Sequence, residues 1–388
     1  MKRRPIVLAT GGTGGHVFPA EALASELLGR GRSLVLVTDL RGAQFGGALG
    51  TLPVYTVSAG TPTRGSLVTR LRGLARTASG ALQARRMLEW LQPAAVVGFG
   101  GYASLPTVLA ATWRRIPTIL HEQNAILGRA NRVLAPRVTS IALTFPATAR
   151  LRPTDQVKTE IVGNPVRVDI RAVRAADYVP PPADGPFNIL VTGGSQGAAI
   201  FSTLIPDALA ALPEALRARL RIVQQCRPES LGMAQNRYRT AGLAPELAAF
   251  FTDMPKRLGA AHLVICRAGA STVSEIAVSG RPAIFIPFPH ASDDHQSANS
   301  AALMQGGAAW HFRQSDLTPA MLRDCIAQLM TSPQELAAKA AAARSLGRPD
   351  AARALATLVE TVAAQYAPLQ LVRSDPDRKV GNGGGAAE

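Results

Sequence analysis

The chain has 388 residues, 47% hydrophobic and 18% charged, a globular composition that excludes general disorder and exceeds what one core serves, so two domains are expected. Forty-two Lys and Arg against 26 Asp and Glu leave a formal charge of +16, which points to an anionic partner: nucleic acid, a phosphorylated metabolite or an acidic membrane face. Three scattered cysteines, Cys226, Cys266 and Cys325, without a CxxC pair, exclude a disulfide framework and a structural zinc site and fit a reducing cytoplasm.

MKRRP opens like a signal peptide, but the apolar run IVLA is too short for its hydrophobic core, so no export is expected. No run approaches the roughly 20 apolar residues of a spanning helix, and any membrane contact must be peripheral. Strand-like segments then alternate with helical stretches: IVLAT, LVLVT, AAVVGF and TIL in the first half, NILVT, RIVQQ, LVIC and AIFIP in the second. This alternation predicts parallel sheets covered by helices on both faces.

Two glycine turns punctuate it. TGGTGGH (10–16) follows IVLA, and TGGSQG (192–197) follows NILV, about one doubly wound domain further on. Between the halves, GNPVR (163–167) and the proline-rich YVPPPADGP (178–186) contain the expected linker, with the boundary near Gly163 and domains 1–163 and 164–349. AARALATLVETVAAQY reads as a helix over about 350–366 that packs back on the first domain, and 372–388 reads as a disordered tail.

Six unusual loops begin where predicted strands end: GGTGGH, GFGGY, HEQN, GGSQG, CRAGAST and PFPHASDDHQ. Singly they are ordinary. GGTGGH is neither a GxGxxG fingerprint nor a Walker loop, GFGGYA fits only a relaxed GxGxxA, His121 and Glu122 read as polar residues at a sheet edge, and Thr272 with Glu275 fits a capping box. Together they load the same end of the strands in both halves, where open parallel sheets bind ligands, and imply a cleft between two domains.

Glycine turns at helix N-termini hold phosphate through free N–H groups and the helix dipole. The only DxD pair, Asp375 and Asp377, lies in the tail, and Asp293 and Asp294 are adjacent rather than spaced, so neither a metal nor a cofactor is expected. His16, just past the first turn, is placed to serve as a base, and Glu122 is the second candidate.

GGTGGHVFPA, GFGGYASLP, HEQNAILGRAN, VGNPVR, GGSQGA, CRAGASTVSEIA and PHASDDHQSAN, in this order and spacing, closely resemble the bacterial family of lipid II-forming N-acetylglucosaminyltransferases. The likeness runs from about residue 5 to about 365. It implies an α/β GT-B fold, two Rossmann-like doubly wound domains facing a cleft. It implies inverting transfer of N-acetylglucosamine from UDP-N-acetylglucosamine to the C4 hydroxyl of undecaprenyl-pyrophosphoryl-N-acetylmuramyl-pentapeptide, lipid I, in peptidoglycan synthesis at the cytoplasmic face of the cell membrane. The acceptor diphosphate belongs to the first half and the donor to the second.

Carried over by motif, Glu275 accepts from the ribose hydroxyls, Ala270, Ser271 and Thr272 contact the diphosphate, and Phe251 lies beside uracil. Ser195 and Arg167 approach the donor, with His295 and Gln296 near the sugar hydroxyls. Thr13, Gly14, Gly15, His121 and Asn124 complete the site where donor sugar and acceptor meet. QQCRPES departs from the family's usual His-Gln-Gly type sequence, and His295 with the extra residue in HASDDHQ departs at the sugar contact.

Residues 64–90 carry six Arg against one Glu, with Leu67, Leu71, Leu74, Ala78 and Leu82 at helical spacing. Such a stretch is ordinarily a sheet-packing helix with solvated arginines. Beside a bilayer-bound acceptor it becomes a candidate for an anionic membrane surface, with Trp113, Arg114 and Arg115 extending it. Three rivals remain. A NAD-dependent oxidoreductase lacks the acidic ribose residue after a first fingerprint, since Asp39 precedes Arg41 in a loop. A UDP-N-acetylglucosamine 2-epimerase shares the two-domain cleft. A nucleic-acid binder rests on charge alone, with aromatics at 5%, and no nucleic acid is expected as partner.

Overall fold

The computed structural model describes residues 4–11, 14–39, 45–60, 66–194 and 197–365. Thr13, Ser195 and the tail at 372–388 lie outside the described residues. Seven strands come from the first half: β1 (Ile6–Ala9), β2 (Leu34–Thr38), β3 (Val54–Thr56), β4 (Ala95–Gly98), β5 (Thr118–Glu122), β6 (Ser140–Leu143) and β7 (Thr159–Ile161). Six come from the second: β8 (Phe187–Thr192), β9 (Leu220–Gln225), β10 (Glu246–Ala248), β11 (Leu263–Cys266), β12 (Ala283–Phe285) and β13 (Ala309–His311). All eight strand-like runs of the sequence are strands.

The strand orders are β3-β2-β1-β4-β5-β6-β7 and β10-β9-β8-β11-β12-β13, and every pairing is parallel. Both sheets reverse direction of winding beside their first strand, between β1 and β4 and between β8 and β11. At such a switch point the loops leave to opposite faces and open a crevice. The two glycine turns follow β1 and β8, so each is placed at that crevice.

The central strands read as unbroken apolar runs because both faces are buried. Ile6 and Leu8 face one core with Leu23, Leu27, Leu36 and Val97. Val7 and Ala9 face the other with Val37, Val96, Met87, Leu105 and Val108. The second sheet repeats this, with Ile189, Val191 and Ile265 on one side and Leu190, Val264 and Cys266 on the other. Among the described residues the three cysteines are free.

The last described helix, Ala351–Gln365, belongs spatially to the first sheet. Its Leu355, Val359 and Val362 enter the core of Ile6 and Leu8, and Glu360 pairs with Arg30 at 2.8 Å and Arg32 at 2.6 Å. The chain thus returns from the second half to the first, the helix starting beside Gly163.

The basic helix Leu67–Leu91 differs from its sequence pattern. It packs through small residues, Gly73, Thr77, Gly80, Ala81 and Ala84, with Met87 and Leu88. A β-carbon on Gly80 would collide with the Ser58 carbonyl, so only glycine permits this approach. Close packing through the small face leaves Leu67, Val68, Leu71, Leu74 and Leu82 exposed among exposed Arg70, Arg72 and Arg76.

Candidate active site

Helices Gly14–Gly29 and Gly101–Trp113 start side by side at the end of β1 and β4. Gly100 and Gly101 have φ of +82° and +70°, a backbone that L side chains rarely adopt. A β-carbon on Gly101 would stand 3.2 Å from His16 Cδ2 and 3.3 Å from its Nε2. The imidazole therefore packs against bare backbone. Burial pushes its pKa below 6.5, opposed by Glu122, Gln123 and the Phe99 carbonyl, with His295 adding to the lowering.

Strand β5 delivers HEQN to the same place. Glu122, 1% exposed, accepts from the Asn124 backbone at 3.0 Å and side chain at 3.1 Å through Oε1. Through Oε2 it accepts from Gly128 N at 2.8 Å and Asn131 Nδ2 at 2.9 Å. Four donors occupy both oxygens, so this carboxylate shapes the loop that carries Asn124.

His121 is wholly buried. Its Nε2 lies 3.0 Å from the Gly163 carbonyl and its Nδ1 2.9 Å from Gln123 Nε2. Burial lowers its pKa to about 4, leaving it neutral. Through Gly163 it is joined to the linker. Gln123 itself, not singled out from the sequence, bridges His121 to His16, 3.1 Å from Nδ1.

In the second half, helix Ala270–Ser279 begins after Gly269, which has no side chain to cap the first turn. Thr272 thus sits inside the helix and the capping box with Glu275 does not form. Backbone N–H groups of Ala270, Ser271 and Thr272 are of the kind that binds anions at a helix start. The buried Ser271 hydroxyl has no partner among the described residues, and Thr272 Oγ1 would be 3.9 Å from a β-carbon on Gly194. The two glycine-bearing loops of this half converge there.

Glu275 turns instead to Arg167, 3.8 Å away. Burial pushes its carboxyl up to about 7, Arg167 pulling against this and Asp169 adding to it. Arg167 also stacks over the Phe18 ring at 4.8 Å, so a linker cation touches one residue from each half. His295 directs Nδ1 to the Ser292 carbonyl at 2.7 Å, while Gln296 Oε1 accepts from Ala268 N and Phe288 N and pins two loops together. Phe251 is buried with its ring under the Arg257 guanidinium, 4.0 Å to the centroid. Phe250 beside it is exposed.

The halves meet over this gap. Asn299, buried on helix His295–Gln305, accepts from Ala125 N at 2.8 Å and donates to Asn124 Oδ1 at 3.2 Å and to the Ala268 carbonyl at 3.1 Å. Asp293 pairs with Arg132 and Arg129. Asn124 is thus placed at the junction of the two halves. Among the described residues no three His, Cys, Asp or Glu side chains gather as metal donors.

Two parallel α/β sheets, each with a phosphate-type helix start at its switch point and facing one gap, define the GT-B class of nucleotide-sugar glycosyltransferase. Residues 6–143 match the glycosyltransferase family 28 N-terminal domain and 188–355 its C-terminal domain, and the chain belongs to that family. It is 51% identical over 363 residues to the UDP-N-acetylglucosamine--N-acetylmuramyl-(pentapeptide) pyrophosphoryl-undecaprenol N-acetylglucosamine transferase of Rhodospirillum rubrum, covering 94% of this chain and 93% of that protein. Among solved structures it resembles MurG of Acinetobacter baumannii, with TM-score 0.74 and 31% identity over 92% of this chain and 99% of that one. A putative UDP-N-acetylglucosamine 2-epimerase of Listeria monocytogenes shares the fold at TM-score 0.63 and 12% identity, over 94% and 98% of the two chains.

Proposed function

We propose that this chain transfers N-acetylglucosamine from UDP-N-acetylglucosamine to the C4 hydroxyl of the muramyl sugar of lipid I, with inversion. The observation that carries the reading is that the helix bearing His16 lies against the helix that begins at Ala270, with Asn124, Asn299 and Arg167 bridging the two halves. We assign residues 1–163, with the helix over about 350–366, to the acceptor side and 164–349 to the donor side.

In the reaction His16 removes the hydroxyl proton as oxygen attacks the anomeric carbon. The bond to UDP breaks with its electron pair passing to the diphosphate. N–H groups at Ala270, Ser271 and Thr272, with Arg167, stabilise that charge. Glu275 holds the ribose hydroxyls, and His295 and Gln296 flank the sugar. Gly14, Gly15 and Asn124 complete the site where donor sugar and acceptor meet.

Radiolabelled transfer from UDP-N-acetylglucosamine to a lipid I analogue in EDTA is the direct test. Lipid-extractable label is expected with chelator present. Label appearing only in a UDP-sugar epimer without acceptor, or no transfer, overturns the reading.

No helix among the described residues is long and apolar enough to cross a membrane. The acceptor is bilayer-bound, so the protein must reach it from the surface. Exposed Leu67, Leu71, Leu74 and Leu82 beside Arg70, Arg72 and Arg76 supply apolar insertion and attraction to anionic lipid, each basic residue adding about 1 kcal/mol. Replacing the three arginines by Ala is expected to weaken cosedimentation with anionic vesicles by roughly 100-fold. Unchanged binding removes this face from membrane contact.

A further inference from the structure

We propose that Gln123 is a positioning residue that fixes the tautomer of His16, placing the hydrogen on Nδ1 and leaving Nε2 bare to receive the acceptor's proton. This deepens the reading of His16 as base and rests on it. Gln123 is 1% exposed, and its amide can be oriented in only one way. One end lies 2.9 Å from the Phe99 carbonyl oxygen and 3.2 Å from that of His121. Carbonyls only accept, so that end is the NH₂ group.

The amide oxygen is then the atom 3.1 Å from His16 Nδ1. It cannot donate. Nδ1 must carry the hydrogen, and a neutral imidazole has one N–H, so Nε2 keeps its lone pair. The same reasoning runs on through the second amide hydrogen. It points to His121 Nδ1 at 2.9 Å, which must accept, so His121 carries its hydrogen on Nε2 and donates to the Gly163 carbonyl at 3.0 Å.

His16, Gln123 and His121 form a series with one sense of donation, ended by backbone carbonyls. Its far end is on the linker between the halves. When Nε2 takes the hydroxyl proton, Nδ1–H remains bonded to the amide oxygen, so the imidazolium is held without relaxation of its neighbours. A neutral amide raises the histidine's basicity less than a carboxylate partner would.

Nitrogen-15 NMR of the imidazoles, with His16 assigned by its loss in His16→Ala, is expected to show the Nδ1–H form in the wild-type protein. Gln123→Met, of similar shape, is expected to lose that preference and to lower kcat roughly tenfold to 100-fold with KM for UDP-N-acetylglucosamine little changed. Gln123→Glu is expected to restore Nδ1–H and move the acid limb of kcat to higher pH. An Nε2–H signal for wild-type His16, or wild-type kcat and spectrum in Gln123→Met, overturns the inference while leaving His16 as base. Full turnover in His16→Ala overturns the base reading instead. Should Gln123→Met not fold, judged by loss of stabilisation by UDP, the wild-type spectrum decides alone.

Discussion

His16→Ala is expected to lower kcat by about 10² to 10⁴-fold, the usual contribution of a positioned general base, while UDP still raises the melting temperature. The separation follows from geometry. His16 contacts Gly101 and Gln123 in the first half, whereas the nucleotide groups gather around Ala270 and Glu275 in the second. Burial lowers the His16 pKa below 6.5, so the ring is neutral and competent at pH 7. Activity falls as the pH drops through that pKa and the base becomes protonated, and the acid limb of kcat, measured at saturating UDP-N-acetylglucosamine, therefore lies below pH 6.5. A pH profile of sugar transfer checks the position, and undiminished turnover in the variant removes His16 from the mechanism.

Glu275→Ala is expected to weaken UDP binding roughly tenfold to 100-fold, since hydrogen bonds to a charged acceptor contribute about 1.5–3 kcal/mol. The loss carries a pH signature. In the free protein burial holds the Glu275 carboxyl near 7, so it is partly protonated at neutrality. Ribose hydroxyls donate to the carboxylate, so binding selects the ionised form and releases a proton. Affinity should rise from pH 6 to pH 8. Calorimetry in buffers of different ionisation enthalpy measures the proton, and Glu275→Gln should abolish both the release and this part of the slope. Identical proton release in the variant would place the titration elsewhere.

Much of the fold was legible because burial on both faces leaves a local mark. IVLA and NILV could hardly be anything but central strands followed by turns. β3, β7, β10 and β13, each three residues long and at the flanks, carry too little apolar pattern to announce themselves, and β6 is nearly as short. The helix Leu67–Leu91 shows the converse. Its leucines carry the amphipathic signal, yet its glycine and alanine face makes the contact, because backbone proximity to Ser58 admits nothing larger.

The site was legible as a set of loops and illegible as a set of partners. Glu122 and His121 stood out by type, but four donors saturate one and burial beside Gly163 sequesters the other. Gln123, unremarkable in a string of polar residues, orients the imidazole; Asn299, distant by 174 positions from Ala125, ties the halves.

What the chain's order of residues determined by itself was the alternation of strand and helix, the glycine turns at the strand ends and the family to which they belong, since each is written in near neighbours. Which side chain faces which was decided only by the strand orders and by the approach of the two sheets. Hydrogen-bond direction, burial and the perturbed acidities of His16 and Glu275 depend on groups far apart along the chain, and they exist only once packing has excluded water from between them.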